Sequence, residues 1–188
     1  MGRNESTPSK LKPGDHISSN RAEIDIVIAK LNVYHHHGIY VGDGIVIHFL
    51  APAKQSNSSV PCKRCGHTPR LHYGIVRTCV DCFLDRHSLY INYWGDCKPP
   101  YEVVKTAMEF FQEIRSFGDY NVLSNNCEHF ATFCKTGKKS SKEIKAAVIK
   151  ITQAGCIGAL GLLEYARQVL KTKESPVTLE HREGLNEE

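Results

Sequence analysis

The sequence predicts an α+β domain in which a small antiparallel sheet packs against helices. Two β-branched, aromatic-rich runs flank Gly42-Asp43-Gly44, which is typical of a β-hairpin over residues 34–49. Pro99-Pro100 opens a stretch of helical periodicity that we expect to end near Gly118. A further helix is predicted to start at Cys127, where apolar residues recur at the spacing of one helix face. Strand signals and helix signals are thus grouped in the chain, as in an α+β fold.

The loop of the predicted hairpin decides which histidines share a face of the sheet. A three-residue loop over 42–44 puts His36 and His48 on one side, because residues two apart in a strand point the same way. A two-residue loop, Asp43-Gly44, puts His37 beside His48 instead. The residues leave both registers open. A further interpretation is that the histidine run 35–37 is a surface or metal-binding cluster.

Cys127 is the strongest candidate nucleophile. Ser124, Asn125 and Asn126 are all good N-cap residues, so Cys127 is expected in the first turn of the helix, facing the body of the domain. The positive end of the helix dipole favours a thiolate there, and a nearby imidazole would complete a Cys/His pair. The competing interpretation is a buried structural cysteine.

The predicted helix that begins at Pro99-Pro100 has an apolar stripe that suits a core-facing side. The stripe is formed by Val104, Ala107, Met108, Phe111 and Ile114.

Four cysteines form two CxxC pairs separated by thirteen residues: Cys62, Cys65, Cys79 and Cys82. Two such pairs supply the four thiolates of a tetrahedral zinc site. Disulfides and reduced core thiols are the alternatives. A closed four-cysteine site leaves no position for substrate, so the zinc is expected to be structural, and no organic cofactor is expected.

Composition limits the class of protein. With 188 residues, 41% of them hydrophobic and 23% charged, one compact domain is expected. The net charge of +4 permits attraction to anionic lipid surfaces but gives no indication of nucleic-acid binding. No secretory signal peptide precedes the domain, so persistent disulfides are not expected. We expect a cytoplasmic protein that can associate peripherally with a membrane. Residues 1–10 and 171–188 are polar, and we expect them to be mobile tails.

Residues 144–170 have an apolar, glycine-rich centre flanked by Lys145, Lys150 and Arg167. About thirteen uncharged residues are too few for the roughly twenty of a spanning helix. We expect this segment to lie on a membrane surface, and a helix packed on its own domain is the alternative.

Two motifs give the chain a family resemblance: the histidine hairpin over 34–48, and Asn-Cys-Glu-His-Phe over 126–130. Together they resemble the lecithin retinol acyltransferase-like proteins over residues 11–137. The resemblance implies a circularly permuted, papain-like fold of the NlpC type, with histidine before cysteine in the chain. It implies His36 as base, His48 as second histidine, Cys127 as nucleophile and Tyr34 as an oxyanion ligand, and it favours the three-residue loop.

The cysteine pairs lie in a stretch, residues 52–98, that resembles an insertion of the plant NC-domain branch of this family. The family resemblance implies a thiol acyltransferase or phospholipase A-like enzyme that acts on phospholipid or other acyl esters through an acyl-Cys127 thioester. Two alternatives use the same fold. One is a papain-like peptidase or amidase, and the other is a non-catalytic scaffold or metal-tolerance protein.

Overall fold

The protein is described by a computed structural model that covers residues 2–20, 35–52, 60–69 and 71–153. These ranges contain six strands, four α-helices and a short 3₁₀ helix, Pro8–Lys10. The elements in chain order are β1 (Gly2–Ser6), β2 (His16–Ser19), β3 (His36–Gly42), β4 (Ile45–Leu50), β5 (Gly74–Cys79), α1 (Val80–Leu84), β6 (Leu89–Tyr93), α2 (Pro100–Phe111), α3 (Cys127–Thr136) and α4 (Lys142–Gln153).

The six strands form one sheet in the order β1-β6-β2-β3-β4-β5. Every neighbouring pair is antiparallel. The predicted α+β class with an antiparallel sheet is therefore confirmed. The segment 52–98 contributes β5 and β6 to this sheet, so it is continuous with the domain core.

The hairpin combines features of both registers that the sequence left open. Its turn is the two-residue Asp43-Gly44, and both residues have the positive φ of a type I′ turn, 51° and 70°. The pairing shifts between Tyr40 and Gly42, so that a bulge takes up one residue. Gly38 therefore pairs with His48, the pairing expected from a three-residue loop.

The sheet separates two buried clusters. Ile39 and Ile47 lie on the face that α2 and α3 cover, in a cluster that also contains Phe130 of α3. Val46 lies on the other face, in a cluster with Phe83 of α1. Successive residues of a strand point to opposite faces, so each strand serves both clusters.

The expectation of a mobile tail over residues 1–10 is wrong. Gly2–Ser6 form β1 and pair with β6 in register, with Gly2 opposite Tyr93. The Arg3 side chain also donates from Nε to Asn92 Oδ1 at 3.1 Å. This strand has no apolar alternation, so its stability comes from the backbone ladder and from Arg3 rather than from a buried face.

Helix α2 ends earlier than expected and presents a different stripe. It ends at Phe111 rather than near Gly118, and Glu113 has a left-handed φ of 59°, which a continuing helix excludes. Apolar residues cover so much of this helix that two stripes fit the same periodicity. The buried residues are Val103, Thr106, Ala107 and Phe110.

Helix α4 packs on the domain through its first turn, where Glu143 and Ile144 are buried. The rest of the segment 144–170, beyond Gln153, lies outside the described residues. Among the described helices, none combines the length and apolar character that crossing a membrane requires. Ile144, the first residue of the segment, is therefore buried against the domain, and the membrane association of the segment stays a prediction.

Candidate active site

His36 and His48 form a buried hydrogen-bonded pair between neighbouring strands. His36 Nε2 lies 2.7 Å from His48 Nδ1, and both residues are at most 5% exposed. His48 Nε2 in turn lies 3.0 Å from Thr78 Oγ1 on β5. The predicted sharing of a face by His36 and His48 is confirmed.

Cys127 is the first residue of α3, as predicted, and Asn126 is its N-cap. The Asn126 side chain accepts hydrogen bonds from the backbone N–H groups of Glu128 and His129 at 3.0 and 3.1 Å. The His129 ring completes a capping box, since its Nδ1 accepts from the Asn126 backbone N–H at 3.3 Å. The thiol therefore lies in the first turn of a well-capped helix, where the helix dipole favours the thiolate.

We expected the histidine pair to face the helix of Cys127, with His37 pointing away, and this part of the prediction is wrong. Helix α3 packs on the face of Ile39, which His37 shares, whereas the rings of His36 and His48 contact Phe83 on the other face. The reason is the alternation of β3. Its odd-numbered positions carry the larger aliphatic residues, and the apolar side of α3 packs there.

The Cys127 thiol nevertheless meets the start of β3. Its Sγ lies 3.8 Å from the backbone oxygen of His35, and the carbonyl carbon of that group is bonded to the nitrogen of His36. The backbone that leads into β3 thus lies next to the nucleophile candidate. The side chain of Cys127 is fully buried.

A second polar network, which the sequence did not reveal, occupies the α3 face. Trp94 Nε1 donates to His16 Nδ1 at 3.1 Å, His16 Nε2 lies 2.8 Å from His37 Nδ1, and His37 Nε2 lies 3.3 Å from Glu143 Oε1. Burial, followed by the charges of His37 and Lys135, lowers the pKa of His16 well below its usual value. A neutral His16 that accepts from Trp94 must donate to His37, so both ring nitrogens of His37 are engaged within the protein.

Glu143 is the anionic end of this network. Burial alone would raise the pKa of its carboxyl, but hydrogen bonds from His35 and His37 hold that pKa well below the usual range. Arg3 Nη2 also lies 2.9 Å from Glu143 Oε1. The network thus ties β1, β3 and α4 together. No sequence signal joins His16 to Glu143, because only the fold brings these distant residues into contact.

The four predicted zinc ligands come together. The sulfurs of Cys62, Cys65, Cys79 and Cys82 all lie within 4.8 Å of one another. The Cys62–Cys79 and Cys65–Cys82 sulfur distances are 4.0 and 3.7 Å. A tetrahedral zinc with Zn–S bonds of about 2.3 Å separates its sulfurs by about 3.8 Å. The donor set and its spacing therefore fit zinc.

Backbone hydrogen bonds to two of these sulfurs act to lower the pKa of their thiols. The N–H groups of Cys65 and Arg64 donate to Cys62 and lower the pKa of its thiol to about 6. Burial raises the pKa of Cys79, while the N–H of Cys82 opposes that shift by donating to its sulfur. The first cysteine of each CxxC thus accepts from the backbone of its own turn.

Tyr34, the predicted oxyanion ligand, lies outside the described residues. The catalytic roles of Tyr34, His36, His48 and Cys127 remain predictions. The functional candidates that sequence reasoning missed are Thr78, Phe83, His16 and Glu143. Threonine, phenylalanine, histidine and glutamate are also common at positions without a function. The sequence around these four residues contains no motif that marks them as site residues.

The structure defines an α+β protein with an antiparallel sheet, and comparison with known proteins identifies the family. The family model described as lecithin retinol acyltransferase matches residues 9–140, and the chain belongs to this family.

Three relatives illustrate the range of similarity. Protein LEAD-SENSITIVE 1 of Arabidopsis thaliana is 35% identical over 161 residues, which are 68% of this chain and 58% of that protein. Phospholipase A and acyltransferase 4 of Homo sapiens is 29% identical over 160 residues, 79% of this chain and 84% of that protein. Egg-laying defective protein 26 of Caenorhabditis elegans is 28% identical over 130 residues, 60% of this chain and 38% of that protein. The match thus spans less than two thirds of the plant and nematode relatives.

Proposed function

We propose that the protein is a thiol acyltransferase or phospholipase A-like enzyme that forms an acyl-Cys127 thioester from a lipid ester. The observation that carries the proposal is the position of Cys127. It lies at the capped start of α3, with its sulfur against the peptide that leads into His36. The family membership and the relatives named for phospholipase A and acyltransferase activity support the same class of reaction.

The reaction proceeds in two steps. His36 Nδ1 takes the proton of the Cys127 thiol, and the thiolate attacks the ester carbonyl carbon. The C–S bond forms, the ester C–O bond breaks, and the imidazolium returns its proton to the leaving alcohol. Water, or an amine or alcohol acceptor, then cleaves the thioester and regenerates the thiol. His48 orients the His36 ring and stays neutral, because a second positive charge would oppose formation of the imidazolium.

His36 suits the role of base better than its neighbour His37. His37 uses both ring nitrogens within the Trp94–His16–Glu143 network. His36 uses Nε2 toward His48, and its Nδ1 is the nitrogen that this pairing does not use. The proposed role requires the His36 ring to reach the thiol from the start of β3, next to the His35 carbonyl group that Cys127 contacts.

The oxyanion of the tetrahedral intermediate needs hydrogen-bond donors at the start of α3. The N–H groups of Glu128 and His129 are bound by the Asn126 cap, so the amide of Cys127 is the donor that the cap does not use. Tyr34 is proposed as the second donor. The order of the chain, His36 before Cys127, supports the circularly permuted, papain-like relationship.

The four-cysteine cluster is proposed to hold one structural zinc ion, because its sulfur spacing fits a tetrahedral site. Zinc would fix the turn between β5 and α1. Metal analysis of protein purified without added zinc should find about one equivalent per chain. Substituting Cys79 with serine should lower metal content and thermal midpoint together. Full stability after complete metal removal would contradict a structural role.

A cavity with a net positive lining, which includes none of the catalytic candidates, supports contact with an anionic lipid surface. A cavity of about 430 Å³ opens beside Trp94, and its charged lining residues are three lysines and one aspartate: Lys98, Lys138, Lys142 and Asp96. Three ammonium groups favour a phosphate headgroup or an anionic membrane surface. Full-length protein should therefore co-sediment with anionic vesicles, and a chain ending after Gln153 should bind more weakly if the predicted apolar segment contributes. Equal binding of both would assign the membrane contact to the domain alone.

The function is tested with vesicles of a diacyl glycerophospholipid that carries labelled acyl chains. The wild-type protein should release labelled fatty acid, and Cys127→Ser should abolish release. Cys134→Ser is the matched control: Cys134 lies in the same helix and is equally buried, and burial raises the pKa of its thiol. Undiminished release by Cys127→Ser would refute the proposal. Cleavage of a peptide or amide substrate with no release from lipid would replace it with the peptidase or amidase alternative.

A further inference from the structure

The histidine pair continues into β5 and ends beside the four-cysteine cluster. His36 contacts His48, and His48 contacts Thr78 Oγ1 at 3.0 Å. Thr78 is immediately followed by Cys79, one of the four clustered cysteines. All three members of the chain of contacts are buried, and Thr78 is 0% exposed.

The direction of these hydrogen bonds follows from the single proton of the Thr78 hydroxyl. Thr78 Oγ1 donates to the backbone oxygen of Cys79 at 3.2 Å. Its oxygen must therefore accept from His48, which places the proton of neutral His48 on Nε2. His48 Nδ1 then accepts from His36 Nε2–H, and Nδ1 of neutral His36 carries the lone pair. This is the tautomer that a base for Cys127 requires.

Phe83 fixes the rings from a second side. Its ring centroid lies 5.2 Å from that of His36 and 5.3 Å from that of His48, and the side chain is fully buried. Phe83 immediately follows Cys82, another member of the cluster. Thr78 and Phe83, which both contact the histidine pair, are thus each joined by a peptide bond to a cysteine of the cluster.

We propose that Thr78 is a positioning residue that sets the tautomer of the His48–His36 pair, and that the four-cysteine cluster holds Thr78 and Phe83 in place. This inference rests on the proposed function, because it gives the histidine pair its task toward Cys127. Zinc occupancy of the cluster then controls the reactivity of a thiol that lies on another element. A thiophilic ion that distorts the cluster would lower that reactivity without touching Cys127.

The tautomer is tested directly by long-range ¹H–¹⁵N correlation of the histidine rings in full-length protein. Wild-type His48 and His36 should both show the proton on Nε2. A His48 ring protonated on Nδ1 would overturn the proposal, and this measurement needs no variant that might misfold. Removing zinc with a chelator should broaden or shift these ring signals, and adding zinc back should restore them. Unchanged ring signals in metal-free protein would overturn the link to the cluster.

The effect on the nucleophile is tested with Thr78→Val, Thr78→Ser and the control Thr106→Val, which replaces a buried threonine of α2. The readout is the rate of Cys127 alkylation by iodoacetamide, resolved by peptide mass spectrometry. Thr78→Val should slow alkylation about tenfold, while Thr78→Ser and Thr106→Val should stay within about twofold of wild type. Wild-type alkylation in folded, zinc-loaded Thr78→Val would reject the positioning role alone. If alkylation of Cys127 depends on Thr78 but Cys127 never accepts an acyl group from lipid, the acyl-transfer function is rejected and the positioning role stands.

Discussion

Two neighbouring histidines, His36 and His37, have different surroundings and therefore different expected tasks. His36 lies in a short relay to His48 and contacts Phe83. His37 is fully buried and is held between His16 and Glu143. We propose that His36 exchanges a proton with Cys127, whereas His37 holds the sheet against α4 through Glu143.

Exchanging each of these histidines for asparagine should separate chemistry from stability. His36→Asn should lower the rate of acyl-enzyme formation by at least about 100-fold, because the general base is lost. His37→Asn should lower the free energy of unfolding by about 1–3 kcal/mol, because His16 and Glu143 lose a buried partner. Single-turnover kinetics and urea unfolding measure the two effects. The reverse pattern would move the base to His37.

Gly38 is a residue whose lack of a side chain the site requires. A Cβ at this position would lie 2.7 Å from Val46 Cγ1, 2.9 Å from Phe83 Cε2 and 3.1 Å from His48 Cβ. Gly38→Ala should therefore displace Phe83 and His48 and lower the free energy of unfolding by about 1–3 kcal/mol.

Gly95→Ala is the control for this substitution, since a Cβ there meets no atom within 4 Å. Urea unfolding of both variants beside wild type provides the comparison. If Gly38→Ala is as stable and as active as Gly95→Ala, the close packing around the histidine pair contributes neither to the free energy of unfolding nor to activity.

At the level of elements, the sequence predicted those with strong local signals. The Asp43-Gly44 turn and the cap before Cys127 follow from local chemistry, and both were found. The bulge between Tyr40 and Gly42 has no such signal, because it is set by how β3 fits between β2 and β4. The polar strand β1 was missed because its pairing with β6 depends on the backbone ladder.

Part of the candidate site could be predicted, because some of its residues belong to local sequence patterns. Cys127, the histidine hairpin and the CxxC pairs carry short-range patterns, whereas Thr78 and Glu143 become site residues only through long-range contacts. The face that α3 covers was also not readable from the residues. Each face of β3 carries a histidine, and the packing of α3 on Ile39 decides between them.

For the whole molecule, the buried histidines predict a loss of stability in mild acid. Burial, with the charges of Lys139 and Lys145, lowers the pKa of His129 from 6.5 to about 4. Between those pH values the unfolded chain binds a proton that the folded protein does not, so the free energy of unfolding falls as pH falls. His16 acts in the same direction. The lowered pKa of His129 accounts for about 3 kcal/mol of this fall in the free energy of unfolding.

Urea unfolding at pH 7.5, 5.5 and 4.5 checks this expectation. His129→Gln should flatten the pH dependence while keeping a capping box, since glutamine suits that position. His87→Gln replaces an exposed histidine and should leave the slope as in wild type. An unchanged slope in His129→Gln would show that other groups cause the acid sensitivity.

Across the whole molecule, the start of α3 meets the backbone that leads into β3, the strand whose first residue is His36. We propose that this junction transfers an acyl group through Cys127. Acid quench of protein incubated with a diacyl glycerophospholipid, followed by intact-mass and peptide mass spectrometry, tests it most directly. We expect a hydroxylamine-sensitive acyl adduct on Cys127, absent from Cys127→Ser and retained in Cys134→Ser. Lipid turnover with no adduct on Cys127, or an adduct on another cysteine, would contradict it.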